Sequence, residues 1–278
     1  MVKMGTVWDR TAEFLSDNIG ALLPISLLAF FVPASIEGNF EAAMVGATPG
    51  LVITLYLVQL AFAILSVWGS LVITAMALDL ASSETAGALA GRRLGPALLV
   101  WIVMLLVIMA MALPIPMVLA ANGADAMAIA RGEDMAISGP VATFVALYAL
   151  LLLVLLFWLA ARLIVATPVI VRENRMFGAL RQSWRLTRGL ALRIVGVLIL
   201  YAIVSWVAQL AANTVFGSIF ALVAGGGEGV TLAGVLTSIV VAAVQTAFMV
   251  IAAAFTAKLY LALTAQAGLR TATAVPVL

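Results

Sequence analysis

The chain contains no cysteine and no histidine, and charged residues fill only 9% of its 278 positions. Each absence excludes a class of chemistry. Without cysteine there are no disulfides and no thiolate sites, so any metal would have to be held by oxygen ligands alone. Without histidine there is no serine–histidine triad, no rhomboid-like dyad, no ordinary zinc site and no histidine-dependent phosphatase. Glycine is never followed by lysine, so there is no Walker A loop, and no glycine-x-glycine-x-x-glycine turn joins a strand to a helix. A CDP-alcohol transferase or an aspartyl intramembrane protease would need several aspartates at the inner loop or within the spans, where Asp79 stands almost alone. The expectation is therefore no catalytic residue, no metal, no cofactor and no enzyme. What is present is apolar: 65% hydrophobic residues and a mean hydropathy of +1.25. Ordinary soluble proteins carry about a quarter charged residues, so the composition describes an integral membrane protein.

A spanning helix needs about 20 apolar residues, because hydrocarbon offers backbone polar groups no partner outside the helix. Six stretches qualify: Ile19 to Ile36, Gly50 to Leu80, Gly95 to Ala121, Val141 to Val171, Leu190 to Ala224 and Val230 to Leu263. The first is short and carries Pro24 and Pro33, the latter placed to bend or end it. A cleavable signal peptide is the rival reading there, but Asp9, Glu13 and Asp17 offset Lys3 and Arg10, unlike a basic n-region. The fold class expected is an all-α, polytopic bundle of about six transmembrane helices forming a single domain over 1–278, with no soluble domain.

Lysine and arginine mark the cytoplasmic loops. Alternate connections carry Lys3 and Arg10, then Arg92 and Arg93, then Arg172, Arg175, Arg181, Arg185, Arg188 and Arg193, then Arg270. The other three hold Arg131 against Glu37, Glu41, Asp125, Glu133, Asp134 and Glu228. Both termini are thus expected in the cytoplasm. The net charge of +2 conceals a basic inner face suited to anionic lipid headgroups rather than to nucleic acid. The connection Asn122 to Gly139 reads as a short surface excursion, and Gly225, Gly226, Gly227 and Gly229 as a flexible turn.

A pattern recurs three times: a short amphipathic lead-in, a span, an outer loop and a second span. The lead-ins are Trp8 to Ile19, Ser83 to Leu94 and Phe177 to Leu190, each running into a span near a glycine, at Gly20, Gly95 and Gly189. The pattern predicts three helical hairpins, each introduced by an interfacial helix. In the third lead-in, at about 100° per residue, Phe177, Leu180 and Trp184 share one side, with Arg181, Arg185 and Arg188 beside it. An aromatic anchor flanked by arginines suits the headgroup region. Arg181, Trp184, Arg185, Arg188 and Arg193 are therefore candidates for binding a lipid headgroup or an acidic partner, with positive-inside anchoring as the plainer alternative.

Ala161-Arg162-Leu163, Pro168-Val169-Ile170-Val171-Arg172-Glu173-Asn174 and Arg181-Gln182-Ser183-Trp184-Arg185-Leu186-Thr187-Arg188-Gly189 carry a resemblance. This region resembles the glycerophosphoryl diester phosphodiesterase membrane domain and its YciC-type relatives. The likeness is sharp over about 30 residues. It implies a polytopic bundle with lead-in helices in a bacterial inner membrane. That family takes its name from fusion to a separate catalytic barrel, which this sequence lacks, so the resemblance implies no activity.

Polar residues inside spans are costly and face the bundle. Tyr201, Ser205, Gln209 and Asn213 recur every four residues on the fifth span, and Gln59 and Gln245 lie near mid-membrane in the second and sixth. They would either line a substrate path or bond packed helices together. Arg162 is too deep to reach the headgroups by snorkelling alone, and Asp79 is its candidate counter-charge, whereas Lys258 lies nearer the boundary. Gly87, Gly91 and Gly95 form a small-residue face for close helix packing or a dimer contact. Two functional readings follow: a non-catalytic accessory, scaffold or lipid-organising protein, with membrane lipids, a protein or a second copy as partner, or a small transporter working through the polar stripe.

Overall fold

The computed structural model describes residues 3–44, 46–123, 138–174, 176–225 and 230–273, the side chains of 83–84 and 269–273 excepted. The predicted connection over 124–137, the glycine turn at 226–229, Arg175 and the Arg270 side chain lie outside the described residues. Among the described residues the structure is entirely helical. The elements are α1 (Met4–Asp17), α2 (Ile19–Ser26), α3 (Val32–Glu37), α4 (Phe40–Met44), α5 (Pro49–Ala77), α6 (Ser83–Ala112) and α7 (Pro114–Ala121). There follow α8 (Gly139–Leu163), α9 (Ala166–Glu173), α10 (Phe177–Leu186), α11 (Ala191–Ala211), α12 (Gly217–Ala224) and α13 (Leu232–Thr273). Two π-helical turns, Leu27–Phe31 and Ala212–Phe216, join α2 to α3 and α11 to α12. Six helical stretches are long and apolar enough to cross a membrane: Ile19–Glu37, Pro49–Ala77, Thr85–Ala121, Gly139–Glu173, Ala191–Ala224 and Leu232–Gly268.

Proline organises the interruptions. Pro33 has no N–H to offer the carbonyl of Ala29, four residues back. The first span does not end there, as the sequence suggested it could; it loosens into the π turn and continues as α3. Ser66 of α5 donates its hydroxyl to the Ala29 carbonyl at 3.0 Å. Gly69 lets the two helices close on each other, since a Cβ there would fall 2.3 Å from the Ala29 Cβ. At the far end of the span Asn39 Nδ2 donates to Ser238 Oγ at 2.9 Å, and Ser238 donates to the Ser35 carbonyl at 3.1 Å. The third span breaks at Leu113, just before Pro114, and Tyr148 of α8 donates its hydroxyl to the Met111 carbonyl at 2.7 Å. At Ala29 a neighbouring hydroxyl serves the carbonyl that Pro33 leaves unpaired, which is how membrane helices tolerate proline.

The protein core lies at one end. Leu71–Leu78, Val169–Val171, Ala253–Phe255 and Leu259–Tyr260 are buried, together with Val7 and Phe14 of α1 and Ala86, Ala90, Ala97 and Val100 of α6. This is the end that carries the arginine-rich connections. Helix α13 is the hub, in contact with α1, α3, α5, α9, α11, α12 and both π turns. Trp8 packs on Phe255 with ring centroids 4.5 Å apart, which docks α1 against it. Toward the other end the helices touch neighbours along one narrow face, and Leu222 and Val223 are 86% and 83% exposed. Lipid tails solvate such surface as well as protein does, so an open half costs little in a bilayer.

One organisational expectation is corrected. The lead-in Ser83 to Leu94 is no separate helix but the first part of α6, which runs unbroken through Gly95 and Pro96. Ala86, Ala90, Ala97 and Val100 form one buried stripe across that point, and packing against α5 and α9 overrides the breakers. The first span packs on the second, the third on the fourth and the fifth on the sixth, as hairpins require, and the second and third spans also pack extensively on each other. Of the small-residue face, Gly87 packs on Trp68 within the chain, whereas Gly91 and Gly95 meet nothing within 4 Å.

Candidate functional site

The site grows from the break in the fourth span. Pro168 cannot donate to the carbonyl of Ile164, and α8 stops at Leu163 before the chain restarts as α9. The last carbonyls of a helix have no intrahelical partner. That of Arg162 accepts a hydrogen bond from Ser183 at 2.8 Å, and the Thr187 hydroxyl, which donates to the Ser183 carbonyl at 2.9 Å, lies 3.3 Å from it. Both hydroxyl residues are fully buried. They sit one turn apart on and just beyond α10, so one face of this short helix is clamped to the break. Ala179, also fully buried, supplies the rest of that face.

The Arg162 side chain completes the clamp. Its guanidinium carbon lies 5.4 Å from the Trp158 ring centre and 5.1 Å from that of Trp184, with the two indoles edge to face at 4.9 Å. The π faces supply the negative potential that a carboxylate would otherwise provide. Asp79, the expected counter-charge, is exposed in a left-handed turn (φ 55°) and makes no ion pair with Arg162. The Arg162 Nε and one terminal nitrogen, Nη1, remain buried without a hydrogen-bond partner. Lys258 resolves in the same way, its ammonium 4.9 Å from the ring centre of Phe14 on α1.

A second anchor holds the start of α10. Glu173, at the end of α9, accepts from Gln182 and from the Tyr260 hydroxyl of α13, the latter at 3.1 Å. Asn174 then turns the chain in the left-handed conformation (φ 52°), and Gly189 (φ 83°) turns it again after α10. A side chain at 189 would be strained whatever the space, which accounts for the glycine after Thr187-Arg188.

Clamped on one face, α10 presents its arginines on the other. Arg181, Arg185 and Arg188 are exposed, with Trp184 and Phe177 at the same surface. Arg185 and Arg188 reach a cleft of about 420 Å³ between α10, the start of α11 and the end of α13. Arg193 joins them from the first turn of α11, and no carboxylate among the described residues lines the cleft. Arg181 faces a neighbouring open groove with Leu163, Leu180 and Trp184, a groove that Arg185 and Arg188 also line. Like charges three and four residues apart on a helix cost about 0.2–0.5 kcal/mol per pair, so this surface is assembled against its own repulsion.

The polar stripe of the fifth span separates. Tyr201 donates to the Phe248 carbonyl at 2.8 Å, and Gln209 Nε2 donates to Ser205 Oγ at 2.9 Å. The π turn Ala212–Phe216 then shifts the register, burying Ala212 and leaving Asn213 exposed. Gln59 and Gln245 are exposed on their own helices. Arg162, Trp158 and Glu173 were absent from the candidate set although the structure places them under the arginine face. Arg162 signalled itself by its depth; Trp158, four residues before it on the same helix, gave no separate sign.

Fold and site together define a multi-pass, all-helical membrane protein with a basic surface clamped to one end of the bundle. More particularly, the chain belongs to the family described as Domain of unknown function (DUF7847), whose model matches residues 10–263. No curated protein and no solved structure matches the chain.

Proposed function

We propose that this protein is a non-catalytic accessory of a bacterial inner membrane that organises anionic lipid, or a complex embedded in it, at its basic end. The basic end is cytoplasmic in this reading, and both termini lie there, in keeping with the arginine asymmetry. The observation that carries the reading is the docking of α10. Two hydroxyls and a buried guanidinium fix the helix to the bundle, so that its arginines face outward at the depth where phosphates lie. The resemblance of residues 161–189 to the glycerophosphoryl diester phosphodiesterase membrane domain supports a role beside lipid chemistry rather than in it. The internal hydrogen bonds of Tyr201 and Gln209 favour packing over a transport path.

Native mass spectrometry of protein extracted gently from its own membrane tests this. The wild type should carry anionic phospholipid beyond its share of the bilayer, and R181Q/R185Q/R188Q should lose that excess while unfolding at the same temperature. Equal retention by the triple variant would overturn the reading.

A further inference from the structure

The arginine surface is not uniform: it contains a cleft and a groove with different linings. The cleft brings Arg185 and Arg188, three residues apart at the end of α10, opposite Arg193 on α11, with the amides of Gln182 and Gln266 completing a polar wall. Gly189 and Leu190 place the start of α11 at its edge, and the first N–H groups of a 21-residue helix add positive potential at their open end. Leu186, Leu190 and Leu263 make the opposite wall apolar. A volume of about 420 Å³ lies within the range of small-ligand pockets. The guanidinium groups of Arg185 and Arg188, with no lining carboxylate among the described residues, match an oxyanion of high charge, which takes charge-assisted hydrogen bonds from several arginines at once.

We infer that this cleft is a discrete site for one phosphate monoester dianion, the apolar wall accepting the body that carries it. The phosphate belongs either to a lipid headgroup of the phosphatidate kind or to a small soluble phosphate. The proposal rests on the lipid-organising reading only for the lipid source. It differs from general attraction of anionic lipid in requiring one saturable site, bounded by Ala267 on one side and excluding Arg181.

The test uses the whole protein in phosphatidylcholine nanodiscs. Phosphatidate is doped into one series, and inorganic phosphate or glycerol 3-phosphate is titrated into another. Bound species are counted by native mass spectrometry. Ala267→Leu fills the cleft and leaves every charge in place, Arg188→Gln removes one ligand, and Arg92→Gln removes an exposed charge of α6 that lines neither the cleft nor the groove. One phosphatidate per chain is expected, its retention weakened about tenfold or more by A267L and by R188Q and changed less than about twofold by R92Q, with all variants unfolding at the wild-type temperature. Displacement of the lipid by glycerol 3-phosphate, or saturable binding of the soluble phosphates alone, assigns the source and supports the site. Retention by A267L and R188Q equal to wild type would overturn the cleft. If R181Q/R185Q/R188Q then still lost anionic lipid, the lipid-organising reading would stand without the site, and if it did not, both would fall.

Discussion

Gly69 shows how much rests on single methyl groups in this bundle. A Cβ there would fall 2.3 Å from the Ala29 Cβ and 3.3 Å from the Phe30 ring, at the point where Ser66 repairs the carbonyl freed by Pro33. Gly69→Ala should therefore force the first two spans apart and cost about 1–3 kcal/mol, whereas Gly91→Ala, which meets open space, should be neutral. Thermal unfolding in detergent compares them. Arg162 is a second such residue. Its depth in the fourth span was legible from the sequence, but its partner was not. A cation between two indoles has no charge complement to search for, and the aromatic that arrives from α10 is placed by the fold. Arg162→Lys keeps the charge but loses the flat guanidinium face, and Lys is the more strongly hydrated cation. The variant should lower the unfolding temperature and change the emission of Trp158 and Trp184, and an unchanged spectrum would count against the stacked geometry.

Among the elements, α10 was the most legible, because its arginines and aromatics fall on distinct arcs at helical spacing. What held it in place was hidden. The serine and threonine of its Ser183-Trp184-x-x-Thr187 run read as ordinary polar residues until the break at Leu163 exposes the carbonyl they serve. The continuity of α6 was illegible for the converse reason: Gly95 and Pro96 are local signals, and the alanine stripe that overrides them acts through neighbours distant in the chain. The first span combines both effects, since Pro33 was visible but Ser66 and Gly69, which let the helix continue, lie in the next span. Ser66→Ala should cost about 0.6 kcal/mol, typical of hydrogen bonds between membrane helices. Its effect should shrink when Pro33→Ala restores the missing N–H, and a double-mutant cycle of unfolding free energies measures that coupling.

At the scale of the molecule, the span count and the basic–acidic asymmetry were readable because both are properties of composition along the chain. The concentration of the protein core at the basic end was not, since hydropathy does not separate contact with protein from contact with lipid. The absence of cysteine makes orientation directly measurable. With single replacements Asn122→Cys and Arg181→Cys, a membrane-impermeant thiol reagent applied to right-side-out vesicles should label the first and spare the second, and the reverse pattern would invert the topology. The central claim is that hydroxyls from α10 hold a basic surface onto the break of the fourth span. Hydrogen exchange of the α10 amides in nanodiscs tests it most directly, comparing wild type with Ser183→Ala/Thr187→Val. Losing the Ser183 hydrogen bond, worth about 0.6 kcal/mol, should speed α10 exchange about threefold and leave α13 unchanged. Identical α10 exchange in the two proteins would contradict the account.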